Sequence, residues 1–402
     1  MTVLVMNGIV LMLVGMILAA RALLVGGGEA LVEIEGHDSV RAAIGARLHA
    51  VLGDAGVPVA AACGGRGTCG QCRVRVSGRV DAPLPTEEAL LGDHALTTGL
   101  RLACQVTLRG DVRVVMPEGL ARIRSLEARV RSARHLTPLL KEIVLDLPPS
   151  ARWQFRAGAY IQVVCPPFRL RLGDLPTDEA VRADWVRMGI DGLEVGSTSP
   201  TTRAYSLANH PAEGAIAMLL VRLALPPPGA PPATPPGVGS SYLFSLRPGE
   251  PVAISEPVSH FMARDSDREM VFVAGGAGMA PMRAHILEQL DVSRTTRRIS
   301  FWYGARSKAD ILYEEEFDRL QREHANFTWS VALSEPAPDD AWTGPTGFIH
   351  QHLRDACLAT HPSPAEAEYY ICGPPLMAYA VVAVLGEYGV DRSQIFSDDF
   401  GG

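Results

Sequence analysis

This chain of 402 residues has no run of five or more lysines and arginines, and its net charge is −7. That pattern excludes the electrostatic footprint that a nucleic acid partner needs. Its seven cysteines are an odd count and a low one for the length, which excludes a disulfide framework as the basis of the fold. No His-Asp constellation stands out, so general acid–base catalysis is not the chemistry suggested. Low complexity is confined to residues 226–236, where seven prolines fall in eleven positions. Such a donor-poor stretch is a loop or extended connector, not a central strand. Hydrophobic residues make up 47%, ordinary for folded chains, and at ~100–200 residues per domain the length suggests two to four domains.

What is present concentrates first in four cysteines. Cys63, Cys69 and Cys72 lie in Cys-Gly-Gly-Arg-Gly-Thr-Cys-Gly-Gln-Cys, and Cys104 follows at a distance. Thiolates anchor a two-iron, two-sulfur cluster, and a tight three-cysteine loop with a distant fourth is the plant-type ferredoxin arrangement. Gly64, Gly65, Gly67 and Gly70 let the backbone wrap closely and turn its amide hydrogens toward the sulfurs. A four-cysteine zinc site competes, but structural zinc usually takes two Cys-x2-Cys knuckles, and only Cys69 and Cys72 form one. The first gap holds five residues, where the plant-type spacing has about four. Cys165, Cys357 and Cys372 read as buried thiols.

Residues 3–20 carry no ionisable side chain. At ~1.5 Å per residue they reach ~27 Å, close to a hydrocarbon thickness of ~30 Å, and residues 21–25 with a snorkelling Arg21 complete a span. One transmembrane helix is expected, in preference to a buried core helix. A cleaved signal peptide would need a basic residue before the run and a small-residue cleavage site after it, and neither is clear. Arg21, Arg41 and Arg47 all follow the run, which places the body of the protein in the cytoplasm.

Beyond a hinge at Gly26, Gly27 and Gly28, residues 30–35 alternate like a strand and 46–55 show helical spacing. Residues 73–76 and 112–115 read as strands, with a turn-rich bridge at 83–86. From 120 to 262 strand-like runs dominate, notably 141–147, 160–164 and 215–223, which suggests an antiparallel barrel. From 267 strands at 270–274, 299–303 and 368–371 alternate with helical patterns at 282–290 and 377–385, which suggests a doubly wound parallel sheet. The expected organisation is a membrane helix and hinge at 1–28, a β-grasp ferredoxin domain at 29–119, a barrel domain at 120–265 and an α/β domain at 266–402.

Arg203-Ala204-Tyr205-Ser206 puts an arginine, an aromatic ring and a hydroxyl on one strand, a set able to meet the pyrophosphate and ring of a flavin dinucleotide. The same pattern also fits a surface arginine beside a half-buried tyrosine. Gly237 to Leu243, including Ser240 and Ser241, looks like a helix start able to bind phosphate, or a plain N-cap. Gly275-Gly276-Ala277-Gly278-Met279-Ala280-Pro281 follows one strand and opens a helix, so a pyrophosphate could approach Gly276 and Gly278, with Pro281 in the first turn. It departs from the Rossmann fingerprint by having proline for the third glycine. Cys372-Gly373-Pro374-Pro375 closes another strand of the same sheet.

Together these elements resemble the ferredoxin-NADP reductase superfamily. More closely, and over essentially the whole chain, the sequence resembles the family of F subunits of sodium-translocating NADH:quinone oxidoreductases. Its marks are the cysteine loop, Arg203 to Ser206, residues 301–308 (Phe-Trp-Tyr-Gly-Ala-Arg-Ser-Lys), Trp342-Thr343-Gly344, Cys372 to Pro375 and Asp398-Asp399-Phe400-Gly401-Gly402. The resemblance implies FAD held by Arg203, Tyr205, Ser206 and Ser240, with Ser206 near the reactive flavin nitrogen. It implies NADH over Gly276 to Pro281, Cys372 beside the nicotinamide and Phe400 stacked on the flavin. It further implies an enzyme in the bacterial inner membrane that takes hydride from NADH onto FAD and passes single electrons to the [2Fe–2S] cluster, then to other membrane subunits and quinone. One helix without a buried charge would not conduct sodium, so this subunit would drive transport only. Two rival readings are a soluble oxygenase reductase and a zinc-stabilised binding protein with a vestigial flavin fold. Arg306 and Lys308 could greet a 2'-phosphate, and no acidic ribose partner is evident. Where the family has Gly-Pro-Phe-Gly, this chain has Glu256-Pro257-Val258-Ser259.

Overall fold

The computed structural model describes residues 28–57, 59, 65, 67, 70–116, 125–151, 153–227, 229–231, 234–259 and 261–398, with 12 and 16. The expected membrane helix (apart from Met12 and Met16), Cys63, Cys69, His260 and Phe400 lie outside the described residues. Among the described residues no helix is long and apolar enough to cross a membrane. The chain divides into two compact units, Met1–Ile123 and Arg124–Gly402.

The first unit contains β1 (Glu29–Ile34), β2 (Val40–Ala43), α1 (Leu48–Asp54), β3 (Arg73–Val80), α2 (Pro85–Leu91), α3 (Asp93–Thr97), β4 (Leu100–Leu102) and β5 (Leu108–Val115). Its sheet runs β2-β1-β5-β3-β4, with β1 and β5 parallel and the other pairs antiparallel, which is the β-grasp order. Alternation turns Ala30, Val32 and Ile34 of β1 inward, where α1 lays Leu48, Val51 and Leu52 on them. The expected bridge at 83–86 is instead the start of α2, because Pro85 takes the first helical position, where its missing N–H costs nothing. Glu87 is 0% exposed, and its carboxylate accepts from Arg101 Nε (2.9 Å) and Nη2 (2.7 Å) and from the amides of Leu102 (2.9 Å) and Leu84 (3.1 Å). Four donors compensate for the burial of that charge.

In the second unit β6 (Ser125–Thr137), β7 (Leu140–Asp146), β8 (Ala159–Cys165), β11 (Thr201–Ser206), β12 (Ile216–Arg222) and β13 (Pro251–Ser255) form one antiparallel path, β11-β8-β13-β6-β7-β12. A bridge between Leu207 and Leu219 joins its two ends and closes the barrel. Between β8 and β11 the chain inserts β9 (Phe168–Arg171), α4 (Glu179–Arg187) and β10 (Glu194–Ser197), an insert with a helix that the reading of dominant strand-like runs did not include. Fully buried Trp185 seats α4 by donating Nε1–H to the Pro138 carbonyl at 2.8 Å. The proline-rich stretch carries no helix or strand among its described residues. It leads into α5 (Val238–Ser245). The divergent Val258–Ser259 forms β14, which pairs with Tyr160 and Ala159 of β8.

The rest of the unit alternates β15 (Met270–Gly275), α6 (Met279–Leu287), β16 (Ile299–Ala305), α7 (Glu314–Glu323), β17 (Phe327–Leu333), α8 (Ile349–Leu353), β18 (Glu368–Cys372), α9 (Pro375–Glu387) and β19 (Ile395–Asp398). All strands are parallel, ordered β17-β16-β15-β18-β19. β15 is buried throughout because both faces are covered. Met270, Phe272 and Ala274 pack in one core with residues of α6 and α7, Val271 and Val273 in another with residues of α8 and α9. The strand order reverses between β15 and β18, so the carboxyl ends of those two strands flank a topological switch point, where such sheets bind ligands.

Candidate functional site

Cys72 follows the glycine loop and Cys104 follows β4. Both are buried, and their sulfurs lie 3.2 Å apart, too far for a disulfide of about 2.05 Å and close enough to serve one metal atom. Gly65, Gly67 and Gly70 have φ of 88°, 82° and 64°, the left-handed region that glycine enters without cost. At Gly67 there is also no room, since a Cβ would run into the Gln105 side chain. The Cys72 carbonyl accepts from the Ala103 amide at 2.7 Å, so the two ligand segments are tied together by backbone. These described residues fit one side of a thiolate-bound cluster.

In the barrel, β11 pairs in register with β8 and carries Arg203, Tyr205 and Ser206. Gly239 of α5 sits so close to this strand that a Cβ would come within 2.7 Å of Arg203 Cγ and 2.9 Å of the Tyr205 hydroxyl. The structure therefore brings together the arginine, the tyrosine and the phosphate-type helix start headed by Gly237. Burial raises the pKa of Tyr205 and keeps it a neutral hydroxyl. Ser240 Oγ donates to the Gly237 carbonyl (3.0 Å) and accepts from the Ala224 amide (3.1 Å), so its hydroxyl serves the helix start. Ser241 is fully buried, and its Oγ has no partner among the described residues. An orphaned hydroxyl beside a glycine cradle is what a polar ligand would complete. The residues fit a flavin dinucleotide.

Gly276 has φ of 56° in the turn between β15 and α6, and a Cβ at Gly278 would run into the Cys372 carbonyl oxygen. The glycines thus let the turn lie against the end of β18, with Gly373, Pro374 and Met377 next to Gly275. Pro281 is buried in the first turn of α6, where no intrahelical donor is required. Cys372 is fully buried and in register with Ala274 on one side and Asp398 on the other. Ser206 Oγ donates to Asp398 Oδ2 at 2.9 Å, both residues being at most 8% exposed. The barrel serine thereby meets the parallel sheet one strand away from Cys372.

Sequence reasoning missed Asp398 as a partner of Ser206 and missed Gly239. Glu335 follows β17, and its amide donates to the Arg306 carbonyl at 2.8 Å. Arg306 is paired with Asp310 at 3.4 Å, and Asp340 accepts from the Lys308 amide at 3.0 Å. Asp310 and Asp340 thus partner the segment whose Arg306 and Lys308 could greet a 2'-phosphate. His350 stacks on Phe348, and His352 Nε2 lies 2.7 Å from Ser330 Oγ, so neither joins the site.

A thiolate loop on a β-grasp sheet, followed by a closed barrel with an arginine-tyrosine-serine strand and a doubly wound sheet with a switch-point glycine turn, defines an iron–sulfur flavin reductase. The sequence matches the 2Fe-2S iron-sulfur cluster binding domain over residues 32–109 and the oxidoreductase NAD-binding domain over residues 272–383. It is 46% identical to the F subunit of the Na(+)-translocating NADH-quinone reductase of Methylococcus capsulatus, and 46% identical to that of Klebsiella pneumoniae, covering 98% of this chain and 97% of each relative. The chain belongs to this family of F subunits. The fold is shared with an Amycolatopsis cytochrome P450 reductase (TM-score 0.59, 24% identity, 92% of this chain and 98% of that one) and with a ferredoxin reductase in carbazole 1,9a-dioxygenase (TM-score 0.57, 23%, 93% and 99%).

Proposed function

We propose that this chain is the NADH-oxidising electron-input subunit of a membrane NADH:quinone oxidoreductase coupled to sodium transport. F-subunit relatives at 46% identity over 98% of the chain favour it over the oxygenase-reductase reading, whose structural relatives share the fold at 24% identity or less. The carrying observation is the meeting of Ser206, Asp398 and Cys372 where the barrel joins the switch point.

FAD, when bound, accepts the two electrons of a hydride and releases them singly, as the one-electron [2Fe–2S] cluster requires. The roles of the protein groups are those that the family resemblance implies. Arg203 neutralises the pyrophosphate of FAD, and Gly237, Gly239 and the Ser241 hydroxyl line that end of the site. Tyr205 packs beside it as a neutral ring. Ser206 gives its hydroxyl proton to Asp398 and turns the hydroxyl oxygen, as an acceptor, to the flavin nitrogen. Gly276, Gly278 and Pro281 receive the NADH pyrophosphate, while Cys372, Gly373 and Pro374 shape the floor of the nicotinamide site. Phe400 covers the flavin. Cys63, Cys69, Cys72 and Cys104 hold the cluster.

The domain limits 29–119, 120–265 and 266–402 describe three modules matching these tasks. The charge-free run at 3–20 supports a single span at 1–28, with the modules on the cytoplasmic side of a bacterial inner membrane and partner subunits carrying electrons on to quinone. Purified chain titrated with NADH under argon tests the reading. Flavin absorbance should bleach and a reduced-cluster EPR signal should appear, and an as-isolated spectrum without flavin and iron bands would sink it.

A further inference from the structure

Between the nicotinamide turn and the flavin strand lies a buried polar network that hydride transfer does not itself require. Arg283 of α6 is 7% exposed and makes two forked pairs. Its Nε and Nη2 donate to Glu316 at 2.6 and 2.7 Å, and its Nη1 and Nη2 donate to Glu213 at 3.1 and 3.0 Å. Nη1 also donates to the Ala208 carbonyl at 2.9 Å. Ala208 stands two residues beyond Ser206, and α6 begins directly after Gly278. One guanidinium therefore bridges the two backbone segments between which hydride must pass.

The network extends further. The Arg283 guanidinium lies 5.3 Å from the centre of the Tyr313 ring. Tyr313 donates its hydroxyl to Glu142 Oε2 at 2.6 Å, and Glu142 accepts from Arg134 Nε at 2.6 Å. Glu142 and Arg134 belong to barrel strands β7 and β6, while Tyr313 precedes α7 beneath the parallel sheet. Tyr313 also has φ of 56°, a conformation uncommon for a bulky residue that persists only where surroundings over-determine it.

We infer that Arg283 and Tyr313 are positioning residues for hydride transfer, holding the nicotinamide turn in register with the Ser206 strand. Buried forked pairs tolerate little displacement, since each lost donor leaves a charge unanswered. Hydride transfer is similarly intolerant, a misplacement of about 1 Å being able to cost about 100-fold in rate. The network converts the first property into the second. This inference rests on the proposed NADH-to-FAD reading.

The test uses the full chain carrying its cofactors, with Tyr313→Phe, which keeps the ring and loses the Glu142 contact, with Glu213→Gln, and with Arg283→Lys against Arg283→Met. Flavin content should equal that of the parent and the NADH concentration for half-maximal reduction should move less than about threefold, while the stopped-flow reduction rate at saturating NADH falls about 10- to 100-fold. Amide hydrogen exchange over residues 207–214 should quicken without any nicotinamide present, a readout independent of turnover. Arg283→Lys should recover part of the rate that Arg283→Met loses. If Arg283→Met does not fold, the other variants decide. Unchanged reduction rates in Tyr313→Phe and Glu213→Gln, or rate losses matched by equal losses of FAD, overturn the inference and leave the NADH-to-FAD reading standing. A parent protein whose flavin NADH does not bleach overturns both.

Discussion

Ser206 is one residue at which barrel and parallel sheet meet, and its hydroxyl proton goes to Asp398. Replacing it with alanine leaves the Asp398 carboxylate without that donor and the flavin site without its hydroxyl. Stopped-flow flavin reduction in Ser206→Ala should slow about tenfold, equivalent to about 1.4 kcal/mol of transition-state stabilisation lost. An unchanged rate would refute the role. Glu335, whose amide is bound to the Arg306 carbonyl, is a candidate for the other end of the substrate. A carboxylate at that end would repel a 2'-phosphate, so Glu335→Gln should raise kcat/KM for NADPH roughly five- to tenfold and leave NADH within about twofold. Arg203, Tyr205 and Gly276 were legible in the sequence because their chemistry sits in short contiguous motifs. Asp398 was not, because its meaning comes from which strand ends lie side by side, and the pairing of Arg306 with Asp310 on the following turn is likewise a matter of folded geometry.

Among the elements, α2 and β4 are joined by the Glu87–Arg101 pair just before Cys104. Donors from Arg101, Leu102 and Leu84 outweigh desolvation and hold the Glu87 carboxyl below the usual range. With a depressed folded pKa, this stabilisation is fully present above the unfolded value of about 4.3 and is lost as pH falls through the lowered one. Glu87→Ala should cost about 3–5 kcal/mol by stranding the Arg101 charge, read as faster cluster loss to a chelator. Acid bleaching of the cluster in the parent should steepen below pH ~4.3, a dependence that Glu87→Gln should weaken. At the switch point, Gly278→Ala would force the turn away from the β18 end, so the NADH KM should rise at least about tenfold with flavin content unchanged. Alternation and helical spacing made β1, α1, β7, β8, β12, β15, β16, β18 and α9 readable. The α2 start was hidden because a proline cluster reads equally as turn or helix N-terminus, and the insert with α4 because Trp185 supplies its burial through a distant contact with Pro138.

For the whole molecule, the cysteine loop and the nicotinamide turn belong to separate compact units. Cys69→Ala should therefore abolish the reduced-cluster EPR signal while NADH still bleaches bound FAD. Loss of both signals would mean that the modules are not separable. The proposed span at 1–28 rests on the charge-free sequence run at 3–20. Deleting residues 1–28 should release the chain from carbonate-washed membranes, and retention would remove the span from the reading.

The contact between Ser206 and Asp398 spans 192 positions of chain, and that separation has a meaning in time. Synthesis at about 5–20 residues per second places roughly 10–40 s between the emergence of the two residues. A barrel that folds as it leaves the ribosome waits through that interval with its serine unanswered. The nascent chain can thus shape its flavin cradle early, but the step that draws electrons from NADH is assembled last.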